Sequence, residues 1–272
     1  MKKMNIWKKV LLVIFLLLAA GVISILVAKM NIKKEREKKA SAPGNAEEYS
    51  LEHVEQKKDS PLRGKRILFL GSSVTYGEAA NGTSFADYLG KIDGVHVTKE
   101  AVSATTLADE FSGYAYLASG NGDSYVKRLK KVGKTEEFDA VVVQLSTNDA
   151  AMEKPLGEIS QSANLEDFDV KTVTGAIEYI IKYAEETWGC PVIFYTGTYF
   201  ESETYSAMVA RLAEIQEKWK IGMIDLYDDT EMNDIDEETY NLYMYDEIHP
   251  TKAGYLKWWL PAIQKYLYDY LK

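Results

Sequence analysis

The chain has 272 residues, 46% hydrophobic and 27% charged, a balance that fits a folded protein and excludes a disordered one. Its net charge of −9 hides a divide: residues 1–39 carry ten Lys/Arg against two Glu, and the remainder carries 22 basic against 39 acidic residues. A domain that acidic is a poor ligand for nucleic acid and other polyanions.

Val10 to Ala28 forms a run of 19 uncharged residues bracketed by Lys8, Lys9 and Lys29. That is close to the ~20 residues a helix needs to cross a bilayer. The run exceeds the core of about 7–15 residues usual in a cleavable signal peptide, and no clear cleavage site follows. Residues 1–29 are therefore expected to be a short flank and an uncleaved membrane anchor. Four lysines precede the run and six basic residues follow it, so the positive-inside rule does not fix its orientation. A short N-terminal flank before a large C-terminal domain suits a single-pass protein of the cell membrane, with a cytoplasmic flank and an extracytoplasmic domain. Residues 30–62 are rich in Lys, Glu, Ser, Ala and Gly, lack apolar periodicity, and read as a tether, partly helical at 33–39. The domain is expected over 63–272.

Within it, five apolar runs read as strands: 67–70, 95–102, 140–145, 192–195 and 221–226. Ala-Val-Val-Val-Gln-Leu at 140–145 is the clearest buried one. Helical patterns fall at about 83–90, 123–132, 171–188, 203–219 and 252–270. Strands separated by helices imply a parallel sheet with right-handed crossovers and helices on both faces. Residues 150–170 read as an insertion or long loop. Cys190 is the sole cysteine, which excludes an intramolecular disulfide and a cysteine zinc cluster; it reads as a small core residue.

Ligands of such sheets bind beyond the carboxyl ends of the strands. Ser73, Asn148 and Thr198 all follow predicted strand ends. A serine hydroxyl is a weak nucleophile and needs a base, which in turn needs an orienting group. Of the three histidines, His53 lies in the expected tether and His96 in an exposed strand. His249 has Asp246 three residues before it and Pro250 after it, a spacing that can fold a carboxylate back onto the imidazole. A capped helix start would explain Asp246 and His249 equally well if Ser73 did not stand in a strand-turn context. Gly122-Asp123-Ser124 offers a second serine, but it follows Ala-Ser-Gly-Asn and not a buried strand, so Asp123 or Ser124 reads as a helix N-cap. Asn148, after the most buried strand, carries an amide that could serve an oxyanion; alone, Asn148-Asp149 would read as a turn or a cap. The backbone N–H groups of Ser73 and of the Ser103-Ala104 turn could complete an oxyanion hole.

Together these residues resemble the SGNH hydrolases, the GDSL-like esterase family. Gly71-Ser72-Ser73-Val74-Thr75 is similar to the first block, Gly-Asp-Ser-Leu-Ser/Thr, and so implies Ser73 as nucleophile. Ala101-Val-Ser-Ala104 is similar to the second block, whose glycine donates a backbone N–H, a role that falls to Ala104. Ser146-Thr-Asn-Asp149 resembles Gly-x-Asn-Asp and assigns Asn148 to the oxyanion hole. Asp246-Glu-Ile-His249 matches Asp-x-x-His as triad acid and base. The blocks occur in family order over about residues 65–265. Ser72, Ala104 and Ser146 depart from the family's Asp, Gly and Gly. The resemblance implies a flavodoxin-like three-layer α/β/α sandwich with a five-stranded parallel sheet. It also implies hydrolysis of esters, often acetyl groups on carbohydrate, with neither metal nor cofactor.

The expected function is a membrane-anchored serine esterase acting on an acylated carbohydrate, a cell-surface glycan or a small ester. The alternatives are an O-acyltransferase with the same triad and a non-catalytic glycan-binding protein on this fold. Tyr76, Tyr199 and Tyr245 are candidate substrate contacts, with Phe200 and Tyr243 nearby, although ordinary packing accounts for each equally well. Tyr255, Trp258 and Trp259 read as contacts of the last helix with the core. No nucleic-acid partner is expected, and no metal ligands are assigned.

Overall fold

The computed structural model describes residues 5–272. They divide into a segment ending at Lys38 and a compact unit, Lys39–Lys272. The first segment lies almost wholly in helix α1, Ile6–Ala40, which buries none of its residues. This helix is long and apolar enough to cross a membrane. At 1.5 Å per residue its 35 residues reach about 52 Å, and the uncharged run alone about 28 Å, close to the thickness of a hydrocarbon core.

The compact unit is built on five strands: β1 (Arg66–Gly71), β2 (His96–Ala101), β3 (Ala140–Gln144), β4 (Val192–Tyr195) and β5 (Gly222–Ile224). All pairs are parallel and the order is β2-β1-β3-β4-β5. Side chains alternate across the pleat. Leu68, Leu70, Val141, Val143 and Phe194 face one core with helices α7 (Val173–Trp188) and α8 (Glu203–Trp219). Ile67, Phe69, Val142, Ile193 and Tyr195 face the other, with Phe85, Trp259 and Ile263. Covering both faces is what makes the central strands β1, β3 and β4 continuous apolar runs. The result is a flavodoxin-like three-layer sandwich. From β1 the chain steps to β2 on one side and then to β3 on the other, so a topological switch point lies at the carboxyl end of β1.

Strand ends follow the sequence reading closely, but β5 is shorter than 221–226. Asp225 stops it: its carboxylate accepts the backbone N–H groups of Tyr227 and Asp228 in a local turn.

The expected tether over 30–62 needs correction. Helix α1 runs on to Ala40, and the compact unit starts at Lys39, not at Arg63. Residues 43–62 are held by polar contacts and by the scattered apolar side chains of Leu51, Val54 and Leu62, too few and too irregularly spaced for apolar periodicity to reveal them. The Asn45 amide donates to Ala79 O at 2.6 Å and accepts Lys252 N at 2.9 Å. A Cβ on Gly44 would lie 2.0 Å from Leu242 O, so only glycine fits there. The Tyr88 hydroxyl donates to Tyr49 O at 2.5 Å, Ser60 Oγ donates to buried Asp93 at 2.7 Å, and Leu62 is fully buried.

Candidate active site

β1 delivers Ser73 into a turn that begins a one-turn helix, α2 (Ser73–Tyr76). Gly71 is dictated by space: a Cβ there would stand 1.7 Å from Thr75 Oγ1. The turn is fastened by Gln144 at the end of β3, whose Oε1 accepts Ser72 N at 2.9 Å and Thr75 Oγ1 at 2.9 Å. Thr75 Oγ1 also shares a hydrogen bond with Tyr195 Oη at 2.6 Å, and Tyr255 Oη donates to Val74 O at 2.6 Å. Ser73 itself is 6% exposed.

The other end of the chain brings His249 to it. His249 Nε2 lies 2.8 Å from Ser73 Oγ, and Nδ1 lies 2.8 and 2.9 Å from the two carboxylate oxygens of Asp246. With the Nδ1 proton donated to Asp246, Nε2 is left to accept the serine proton. Asp246 is 43% exposed and accepts the backbone N–H groups of Ile248 at 2.9 Å and His249 at 2.8 Å. Burial alone would raise its pKa. The hydrogen bond and charge of His249, with those two N–H groups, outweigh burial and hold the carboxyl down at about 2. Asp246 therefore stays ionised at neutral pH.

The turn after β2 carries Ala104 at φ +61°, in the left-handed region that favours glycine. The turn is braced from several sides. Ser103 Oγ donates to Glu78 at 2.7 Å, and Thr105 Oγ1 donates to Val102 O at 2.6 Å. Helix α6 (Thr147–Ala151) starts after β3, with Ser146 as its N-cap. On it, Asn148 Nδ2 donates to Thr105 O at 2.9 Å, which uses one of two amide protons. Asp149 accepts Leu107 N at 2.8 Å and Ala108 N at 2.9 Å. Burial raises the Asp149 pKa to about 6 against the pull of Ser146 and these N–H groups.

Sequence reasoning missed two buried polar residues that tie these loops together. Arg128, 1% exposed, donates to Gly71 O at 2.7 Å, to Thr105 Oγ1 at 3.1 Å, to Asp123 O at 3.2 Å and to the Glu100 carbonyl. Its guanidinium thus clips the ends of β1 and β2 to the Ala104 loop. Gln144 is the second; the amide stands out in a run of valines, but nothing in the sequence says which turn it reaches. Ser124 is buried and caps its helix, accepting Lys127 N and donating to Asp109 at 2.6 Å, in accord with the N-cap reading.

Of the candidate contact residues, Tyr199 is 56% exposed on the rim after β4. It lines a cavity of about 290 Å³ with Phe200, Glu201, Tyr240, Glu247 and Trp258. Tyr76 is 38% exposed, with Lys99 Nζ 5.8 Å from its ring centroid. Tyr245 N donates to His249 O at 2.9 Å, and Lys39 Nζ lies 5.8 Å from its ring centroid. A larger cavity, about 930 Å³, is lined by residues of β5 and α12 (Leu260–Tyr270) and by none of Ser73, Asn148, Asp246 or His249. Cys190 is buried, and burial pushes its thiol up to about 11, the behaviour of a core residue.

The model of the GDSL-like lipase/acylhydrolase family matches residues 69–257. Among solved structures, a protein from Lactobacillus plantarum is 21% identical with a TM-score of 0.58; the match covers 77% of this chain and 97% of that one. A structure named as a GDSL-like lipase, from Bacteroides ovatus, is 16% identical with a TM-score of 0.53, covering 76% and 97%. The acetyl xylan esterase AlAXEase is 13% identical with a TM-score of 0.50, covering 74% and 97%. These likenesses concern the fold. No curated protein sequence matches the chain. Over most of its compact unit, then, the chain belongs to the GDSL-like lipase/acylhydrolase family.

Proposed function

We propose that the domain is a serine esterase in which Ser73 is the nucleophile, His249 the general base and acid, and Asp246 the group that orients and charge-compensates His249. The observation that carries this is the continuous hydrogen-bond chain from Ser73 Oγ through His249 to Asp246, every link under 3.0 Å. Ser73 Oγ attacks the ester carbonyl carbon and its proton passes to His249 Nε2. The oxyanion takes hydrogen bonds from the backbone N–H groups of Ser73 and Ala104 and from the Asn148 amide. Collapse expels the alcohol, protonated by His249, and leaves an acyl-Ser73. Water then gives a proton to His249, attacks the acyl carbon, and releases the acid and the free serine.

The substrate is an O-acyl, chiefly O-acetyl, group on a carbohydrate or a small ester. The aromatic rim at Tyr199 supports a sugar, and a structural neighbour is an acetyl xylan esterase. Helix α1 anchors the domain to the cell membrane, with the domain on the outer side; proteolysis of intact cells tests that placement. For the activity, acetate release from phenyl acetate and from acetylated xylan is measured for wild type and Ser73→Ala. Turnover by the wild type alone supports the reading, and equal turnover by both would overturn it.

A further inference from the structure

The cavity walled by Tyr199, Phe200, Tyr240 and Trp258 shares the triad's own loop, because Glu247, between Asp246 and His249, is part of its lining. In ester cleavage the leaving oxygen must face the group that protonates it, His249, and not the oxyanion donors. Ala104 follows β2 and Asn148 follows β3, the two strands that flank β1. Tyr199 follows β4, the strand beyond β3, so of these groups it is the loop of His249, through Glu247, that the cavity adjoins.

We propose that this cavity is the leaving-group subsite and that it takes an uncharged, hydroxyl-rich ring as the alcohol half of the ester. The proposal rests on the esterase reading and narrows its substrate. At about 290 Å³ the cavity sits at the lower limit of small-ligand clefts, which suits one ring. Its walls are aromatic faces: Tyr199 leans on Tyr227 at 5.2 Å and stays 56% exposed, and Trp258 is fixed by its Nε1 bond to Met232 O at 2.8 Å. Among the described residues, no hydrogen bond or ion pair engages the carboxylates of Glu201 or Glu247. Carboxylates only accept, so they match sugar hydroxyls and repel an anionic alcohol. The acidity of the whole domain acts in the same direction.

The test compares an O-acetylated methyl glycoside with phenyl acetate, two substrates that give the same acetyl-enzyme. For Tyr199→Ala the ratio of kcat/KM, glycoside over phenyl ester, should fall roughly three- to tenfold, while Tyr199→Phe should hold it to within about twofold. The loss should appear in formation of acetyl-Ser73 and not in its decay, since the alcohol has left by then. Equal losses on both substrates, or a loss confined to decay, would overturn the subsite and leave the esterase standing. A wild type that forms no acetyl-Ser73 from phenyl acetate would overturn the esterase reading and the subsite with it.

Discussion

The turn that holds Ser73 and the loop that holds His249 meet at 2.8 Å, yet they are built in opposite ways. The serine turn is buried, and distant residues hold it: Gln144 from β3, Tyr195 from β4, Tyr255 from near the carboxyl terminus, and Arg128 through Gly71 O. The histidine loop is open, and near neighbours hold it. Asp246 accepts the N–H groups of Ile248 and His249, and Tyr245 N closes on His249 O. The difference teaches where precision is needed. In the proposed mechanism Ser73 offers its backbone N–H to the oxyanion as well as its hydroxyl to the substrate, so its main chain must be fixed. The imidazole must only keep one nitrogen on Asp246 and the other on Ser73, which a three-residue turn can do.

Substitutions can break that contrast or sharpen it. The largest effect is expected from His249→Ala, which removes the base hydrogen-bonded to Ser73 and should lower kcat about 10⁴- to 10⁶-fold with the domain still folded. Asp246→Ala should cost about 10³- to 10⁴-fold, less because solvent compensates part of the lost charge on this open side. A loss as large as that of His249→Ala would mean the loop depends on Asp246 for its shape as well. Asn148→Ala should lower kcat about 10²- to 10³-fold with a smaller change in KM. A change in KM alone would remove Asn148 from the oxyanion hole.

Acid stability separates two carboxyls. The folded-state pKa of Asp246, about 2, lies below the ordinary 3.8, so its contribution is present above pH 3.8 and is lost as pH falls toward 2. Asp149 runs the other way: raised to about 6, its contribution is present below pH 3.8 and is lost as pH rises through 6. Urea midpoints from pH 2 to 7 should rise between pH 2 and 4 in wild type, and less so in Asp246→Ala. The smallest effect is expected from Ala104→Gly, which relieves a left-handed backbone and should add about 1 kcal/mol or less to stability. A decrease would mean that the methyl group is packed to advantage.

The sheet was legible chiefly because its central strands β1, β3 and β4 are buried on both faces and read as apolar runs, while the edge strand β2, half-exposed, showed as an alternating one. Helices α7 and α8, at 16 and 17 residues, show several turns of amphipathic period and were placed almost to the residue. Helices of four to seven residues, at Ser73–Tyr76, Gly113–Ser119 and Glu237–Tyr243, are too short to show a period, and each follows from its cap or from the packing around it. The segment at 43–62 was invisible because it is attached by polar contacts and a few apolar side chains without a period. At the site, Ser73, Asp246 and His249 could be found from residue type and spacing. Arg128 and Gln144 could not, since their importance lies in which carbonyls and turns they reach across the sheet, and spacing in sequence carries no trace of that.

The account stands or falls on which side chain becomes covalently modified. A fluorophosphonate probe followed by peptide mass mapping should place one adduct on Ser73 in the wild type and none on Ser73→Ala. An adduct on Ser124, or labelling that survives the loss of Ser73, would contradict it.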